Sequence, residues 1–425
     1  MKKNLMRAVL VASLSVFFAG AAFTPTPAVA ADAKPQLSRA ASKPLSEAQK
    51  AFVAKDYATM IAKVKEALAL PDLTDYDKYI ANYFMGLALY NSGDRTGSMP
   101  YFTAAAESSA APAEEHANAL HIALELQNEA KNFPKVIELG TEALKTGPVD
   151  GTIAAMVAVA YYNTDDFANA VAFAQKSIDA NTAAGKLPER GAYQIVLMIQ
   201  NKQKDLPGET KTLEIMSTNY GDAEDWGHLI DVSLGSLSVS GKGTREVAAL
   251  YIYRLRMTVK ADTAADDYTL MADLALGLHL PGDAQKALQQ GLDSGTLSQA
   301  KGAALLNKAN AAARIDEPTL AAADAIAAKI SSSDKDVSVA EDYYGYGRYA
   351  DAARVAQRAI SKSGPKALEA QLLLGVAQAQ QGDNTAAAQS LALVKGDASL
   401  EKAAQLWTLY ATRKYGKAAT TPAAQ

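Results

Sequence analysis

The sequence predicts an all-α solenoid built from stacked helix pairs, and three observations predict it. A short phrase recurs along the chain at a near-constant spacing. Small residues stand at fixed offsets from each copy. The segments between copies carry apolar residues at helical spacing, as in Ile153, Val157, Ala160 and Tyr161.

The phrase is a turn, an aromatic, two residues and a small or medium apolar anchor. It reads Lys55-Asp56-Tyr57 to Met60, Gly93-Asp94-Arg95 to Ser98, Lys131-Asn132-Phe133 to Val136, and Asp165-Asp166-Phe167 to Ala170. Later copies are Gly282-Asp283-Ala284 to Ala287, Gly347-Arg348-Tyr349 to Ala352, and Gly382-Asp383-Asn384 to Ala387. The anchors are spaced 38, 38, 34, 117, 65 and 35 residues apart, and the long gaps divide into about three and two units. One period of roughly 33 to 39 residues therefore covers nearly everything after Leu45. Twelve residues before the anchors stand Ala48, Gly86, Leu124, Ala158, Ala275, Ala340 and Gly375. All but Leu124 are small enough to let two helices approach closely. Prolines 71, 112, 148, 188 and 365 fall near helix boundaries, where they do least harm. Ser46-Glu47-Ala48-Gln49 has the form of a capping box and marks the expected start of the first helix.

The turn-aromatic-x-x-Ala phrase, with a small residue twelve positions earlier, resembles the tetratricopeptide repeat family. The match runs from about Leu45 to Arg413 and is strongest at Asp150–Thr182 and Ser333–Pro365. The family's large aromatic at the start of the first helix is missing, and Leu187–Asp262 follows the period only loosely. With the exported N-terminus and alanine-rich helices, the chain is similar to the secreted tetratricopeptide proteins of proteobacteria. The resemblance implies a right-handed superhelical solenoid of about nine helix pairs, with the first helix of each pair lining a concave side. The expected organisation is a signal peptide at 1–30, a flexible segment at 31–44 and N-terminal repeats at 45–182. Divergent helical repeats follow at 183–262, then C-terminal repeats with a capping helix at 263–414 and a disordered tail at 415–425.

The N-terminus reads as an export signal. Lys2, Lys3 and Arg7 precede an apolar run of fifteen residues, Ala8 to Ala22. Ala28-Val29-Ala30 then forms a small-x-small cleavage site. The run is shorter than the roughly twenty residues a membrane span needs. Cleavage near Ala30 takes the formal charge from −4 to −7, since three cations and no acids are removed. The expected location is the periplasm, or the medium outside the cell. The chain has no cysteine, which excludes disulfides, thiol catalysis, thiolate metal sites and a cysteine-linked lipid anchor. Its acidic balance gives no reason to expect nucleic acid or an anionic membrane as partner.

The chain carries little that points to catalytic chemistry. His116, His121, His228 and His279 show no i, i+4 metal spacing. Gly241-Lys242-Gly243-Thr244 lacks two residues of a phosphate loop and reads as a loop with Thr244 capping the next helix. Tyr251-Ile252-Tyr253-Arg254-Leu255-Arg256 interleaves aromatics and cations, yet its arginines point about 200° apart on a helix. It reads as an outer helix with exposed arginines. Asp165-Asp166 and Asp266-Asp267 read as helix-start carboxylates. No cofactor, metal or enzyme activity is expected.

What remains is a binding face. Fifteen residues before the anchors are Tyr83 and His121; eight before are Tyr90, Asn128 and Tyr162; seven before are Asn91 and Asn163. Fixed offsets place these side chains on the inner side of neighbouring first helices, and Tyr and Asn suit adaptable recognition. Packing and helix capping by the same residues is the competing reading. The expected function is an exported interaction scaffold that binds a peptide or protein partner on the concave face. The alternative is a periplasmic carrier of a small molecule or glycan, for example in polysaccharide export or envelope assembly.

Overall fold

A computed structural model describes residues 35–145, 149–237, 243–261 and 263–413. The expected signal peptide and the expected disordered tail lie outside them. The described residues form ten helix pairs and one terminal helix, with no strand. The pairs are α1 (Arg39–Val53) with α2 (Tyr57–Leu68), α3 (Asp75–Asn91) with α4 (Arg95–Ala106), and α5 (Ala113–Glu129) with α6 (Phe133–Ala143). Next come α7 (Gly151–Asn163) with α8 (Phe167–Ala183), α9 (Arg190–Gln203) with α10 (Leu206–Asn219), and α11 (Ala223–Gly235) with α12 (Thr244–Val259). The last are α13 (Ala265–Gly277) with α14 (Pro281–Asp293), α15 (Gln299–Asp316) with α16 (Leu320–Lys329), α17 (Asp334–Gly345) with α18 (Tyr349–Lys362), and α19 (Ala367–Gln380) with α20 (Asn384–Ala392). The terminal helix is α21 (Ala398–Thr412). The chain is thus an all-α repeat solenoid. It divides into two compact units, the first ending at Val196 and the second starting at Leu197.

The recurring phrase has a physical cause. In eight pairs among the described residues, the first helix ends on a left-handed residue. These are Lys55, Gly93, Lys131, Asp165, Lys204, His279, Gly347 and Gly382. The next residue is the N-cap of the second helix. Its N–H turns back to the carbonyl five residues earlier, as from Asp56 to Ala51 at 2.9 Å and from Arg348 to Tyr343 at 2.8 Å. That bond satisfies a carbonyl the helix end would leave orphaned. The side chains of Asp56, Asp94, Asp166, Asp205 and Asp383 each cap the second helix by accepting an N–H three residues on. The anchor lies four residues after the cap. Met60, Ser98, Val136, Ala170, Ala352 and Ala387 are all wholly buried there. Close approach is visible at Gly375, where a Cβ would lie 2.6 Å from the Leu391 side chain.

Several expectations are corrected. The first helix starts at Arg39 with Ser38 as N-cap, not at Ser46, so residues 39–44 of the expected flexible segment are helical. Ser38 N–H also donates to Asp77 Oδ1 at 2.9 Å, which ties this start to α3. At the fifth expected copy, Gly282 and Asp283 lie inside α14. The true turn is at His279, three residues earlier, so the anchor is Ala284 rather than Ala287. Thr244 does not cap α12. Gly243 takes that position, and Thr244 Oγ1 donates to Asp397 Oδ2 at 2.8 Å.

The loosely periodic middle contains an ordinary pair. Lys204-Asp205-Leu206 forms the same turn between α9 and α10, which places Glu209 at the anchor. Glu209 is only 2% exposed. A buried carboxylate needs partners, and it has Asn201 Nδ2 at 3.3 Å and His228 Nε2 at 2.8 Å.

The arginines of α12 are not exposed. Arg254 and Arg256 are 3% and 2% exposed, because α12 is covered on nearly every side. The Arg254 guanidinium donates to both oxygens of Asp283, at 2.9 and 2.7 Å, and pairs with Glu341 at 2.7 Å. It also lies over the rings of Tyr251 and Tyr344. Arg256 pairs with Asp267 at 3.1 Å and with Asp231. Two opposite faces of one helix therefore each hold a cation with its own carboxylates.

Candidate functional site

In the first unit the seven expected binding residues have defined surroundings. Tyr83 is buried at 8% exposure, stacked on Tyr79 with centroids 6.1 Å apart and edge-on to Phe102. It is a packing residue, which corrects its placement on a binding surface. Tyr90 is half-buried; the Arg95 guanidinium donates to its hydroxyl and lies 4.5 Å from its ring centre. Burial pushes the Tyr90 hydroxyl pKa up, against the opposing charge of Arg95. Arg95 also reaches Glu125 at 3.2 Å and Glu129 at 2.8 Å, which links α3, α4 and α5.

Asn91 and Asn163 are exposed and turn back on their own helices. Their amides donate to Leu87 O and Val159 O, each at 2.8 Å. His121 Nε2 lies 3.2 Å from Asp150 Oδ2. The Asp150 carboxyl is held down to about 2, first by His121 and then by the Ile153 and Thr152 N–H groups it caps, with desolvation opposing. Asn128 is half-buried, and Tyr162 is half-buried against Phe167 at 5.8 Å. Packing and capping thus account for much of this set. Tyr90, Asn128 and Tyr162 keep exposed surface at the offset of eight.

The second unit holds a cleft of about 480 Å³, lined by Asp273, Leu276, Gly277, His279, Pro281, Lys308, Ala312 and Asp316. It lies within the usual range for ligand sites and is open to solvent, with Asp273, His279 and Lys308 all exposed. Its position follows from the repeat. With the anchor at Ala284, residues Asp273, Leu276 and Gly277 stand eleven, eight and seven before it. The offsets of eight and seven are those expected for the inner face. The seven inner-face residues expected from the sequence all lie in the first unit, so none of them belongs to this cleft.

The cleft's charges are mixed. Lys308 brings an ammonium from α15, while Asp273 and Asp316 bring carboxylates from α13 and the end of α15. Tyr346 Oη donates to Asp316 Oδ2 at 2.9 Å. Beside them the Asp342 carboxyl is pushed up to about 7, first by burial and then by the charges of Asp316, Glu341 and Asp283. Such a lining suits a polar, charged segment of chain more than an apolar cargo. Among the described residues, no group of three or more His, Asp or Glu could hold a metal ion. No described helix is long and apolar enough to cross a membrane.

Comparison with known proteins bears on the repeats. Residues 340–401 match the family model described as tetratricopeptide repeat. No curated protein matches the chain. Among solved structures, a tetratricopeptide repeat protein of Parabacteroides merdae is 12% identical, with a TM-score of 0.34 over 64% of this chain and 99% of that one. Naa15/Naa10 bound to HypK-THB is 16% identical, with a TM-score of 0.34 over 86% of this chain and 65% of that one. The TPR2AB domain of yeast Sti1 in complex with pHSP90 is 14% identical, with a TM-score of 0.19 over 87% and 98%. These overlaps are loose. The repeat assignment stands on the family match and on the turn that recurs eight times among the described residues.

Proposed function

We propose that this tetratricopeptide-repeat protein is an interaction scaffold that holds a peptide or protein partner along the inner face of its first helices. The observation that carries the reading is the open cleft lined by Asp273, Leu276 and Gly277, of which Leu276 and Gly277 stand at the expected inner-face offsets of their own repeat. A carrier of a small molecule or glycan would enclose its cargo, whereas this cleft is open. The periplasm, reached through the expected signal peptide, is the compartment this reading assigns. It assigns no reaction to the chain.

Selection from a random peptide library on the immobilised chain tests the reading. Enriched peptides should lose about tenfold or more in affinity on Lys308→Glu combined with Asp273→Lys, as charge pairs set register and partner choice. Both positions are exposed, so the fold should survive the change. Enriched peptides that bind the variant as well as the unaltered chain would place recognition elsewhere.

A further inference from the structure

One set of first-helix side chains in the second unit is covered by the chain itself. Glu341 and Tyr344 stand eleven and eight residues before Ala352, and Gln380 stands seven before Ala387. All three meet α12. Tyr251 Oη donates to Glu341 Oε1 at 2.5 Å, and Arg254 Nη1 lies 2.7 Å from Glu341 Oε2. The Arg254 guanidinium lies 4.3 Å from the Tyr344 ring centre. Gln380 Nε2 donates to Thr258 Oγ1 at 2.7 Å and to Tyr344 Oη at 3.1 Å. Tyr251, Arg254 and Thr258 are spaced i, i+3, i+7, so they share one face of their helix. Left-handed residues bracket that helix, Gly243 at its start and Lys260 at its end. Glu341, Tyr344 and Gln380 fall within residues 340–401, which match the repeat-family model.

We propose that α12 is a built-in ligand of the groove formed by α17 and α19, and that this groove is specific for a helix presenting Tyr, Arg and Thr at i, i+3, i+7. The recognition is polar and directional: a glutamate shared by a hydroxyl and a guanidinium, an aromatic ring under the cation, and an amide on the threonine. Apolar packing alone would leave the register of the helix free; these contacts fix it. A tethered segment faces its groove at an effective concentration on the order of millimolar. The chain therefore keeps this groove closed to any partner that does not present the same three groups.

Hydrogen exchange on the full chain tests the proposal. Tyr251→Phe keeps the ring and removes only the hydroxyl on Glu341. Amides of α12 should then exchange about tenfold faster or more, while those of α17 and α19 keep their protection, as an occupant opens without its groove. Loss of protection in all three helices together would overturn the proposal and make α12 an ordinary core helix. A labelled synthetic peptide of residues 244–259 gives the second measurement. By fluorescence anisotropy it should bind the full chain carrying Tyr251→Ala and Arg254→Ala about tenfold or more tighter than the unaltered chain, whose groove is filled. The peptide with the same two substitutions should bind about tenfold or more weaker. Equal binding of the two peptides, or no binding to a doubly substituted chain that still melts cooperatively, would also overturn it. Should that chain fail to fold, the exchange result decides. No cleft residue enters either measurement, so the outcome is separate from that of the scaffold reading.

Discussion

Arg254→Met lowers the stability of the second unit by about 3–5 kcal/mol, the usual cost of removing one partner from a buried ion pair. Methionine fills similar space, so the effect is electrostatic. Asp283 and Glu341 lose the cation that both of them contact, inside a part of the fold that water does not reach. Asp342 already sits close by with its carboxyl pushed up to about 7. The sign of its pH dependence follows. A carboxyl whose folded pKa is raised binds its proton more tightly in the fold, so its contribution is favourable at low pH and is lost as pH rises from about 4 to about 7. Arg254 is not among the charges that shift Asp342, so this loss is common to both proteins, and denaturant melts should show the variant's deficit at pH 5 and at pH 8 alike. A variant as stable as the unaltered chain at both values would show that the guanidinium is not what holds these carboxylates.

Trp407→Ala should cost about 3–5 kcal/mol, the range for removing a large aromatic from a core. The ring is wholly buried, its Nε1 donates to Tyr251 O at 2.9 Å, and Tyr410 lies edge-on with centroids 5.6 Å apart. The indole thus packs α21 against α12, two helices separated by some 150 residues of sequence. Calorimetry on the full chain should show the loss in the transition of the second unit, with the first unit unchanged. A loss of under about 1 kcal/mol would mean that α21 is a loosely docked cap and not part of the core.

Much of this fold is legible in the sequence because its turn is chemically narrow. A left-handed residue, then a capping Asp, then a wholly buried anchor leaves a trace at Lys55-Asp56, Gly93-Asp94 and Gly382-Asp383. The trace fails where another residue meets the same need. His279 takes the left-handed position without a glycine, and Gly282-Asp283 inside α14 imitates the missing phrase. Glu209 stands where a small residue is expected, and its charge is met by Asn201 and His228, which no local window relates. Burial of Arg254 was hidden for the same reason: Asp283 and Glu341 lie 29 and 87 residues away. The candidate site follows this pattern. Offsets of eight and seven from the correct anchor give Leu276 and Gly277, which both line the cleft, whereas the same offsets from an anchor set three residues late give His279, which lines it, and Leu280, which does not. Tyr83 carried the right offset in the first unit, but its neighbours Tyr79 and Phe102 turn it inward.

Site-specific photo-cross-linking in the native host tests the central claim, that a partner lies along the inner face. A photoreactive phenylalanine analogue at Leu276 places the probe in the cleft, and one at Leu270 places it on an exposed part of the same helix outside the cleft lining. The account predicts a discrete protein or peptide adduct from position 276, recovered in the periplasmic fraction, absent from position 270 and lost on Lys308→Glu. Adducts of equal yield from both positions, or an adduct from 270 with none from 276, would contradict it.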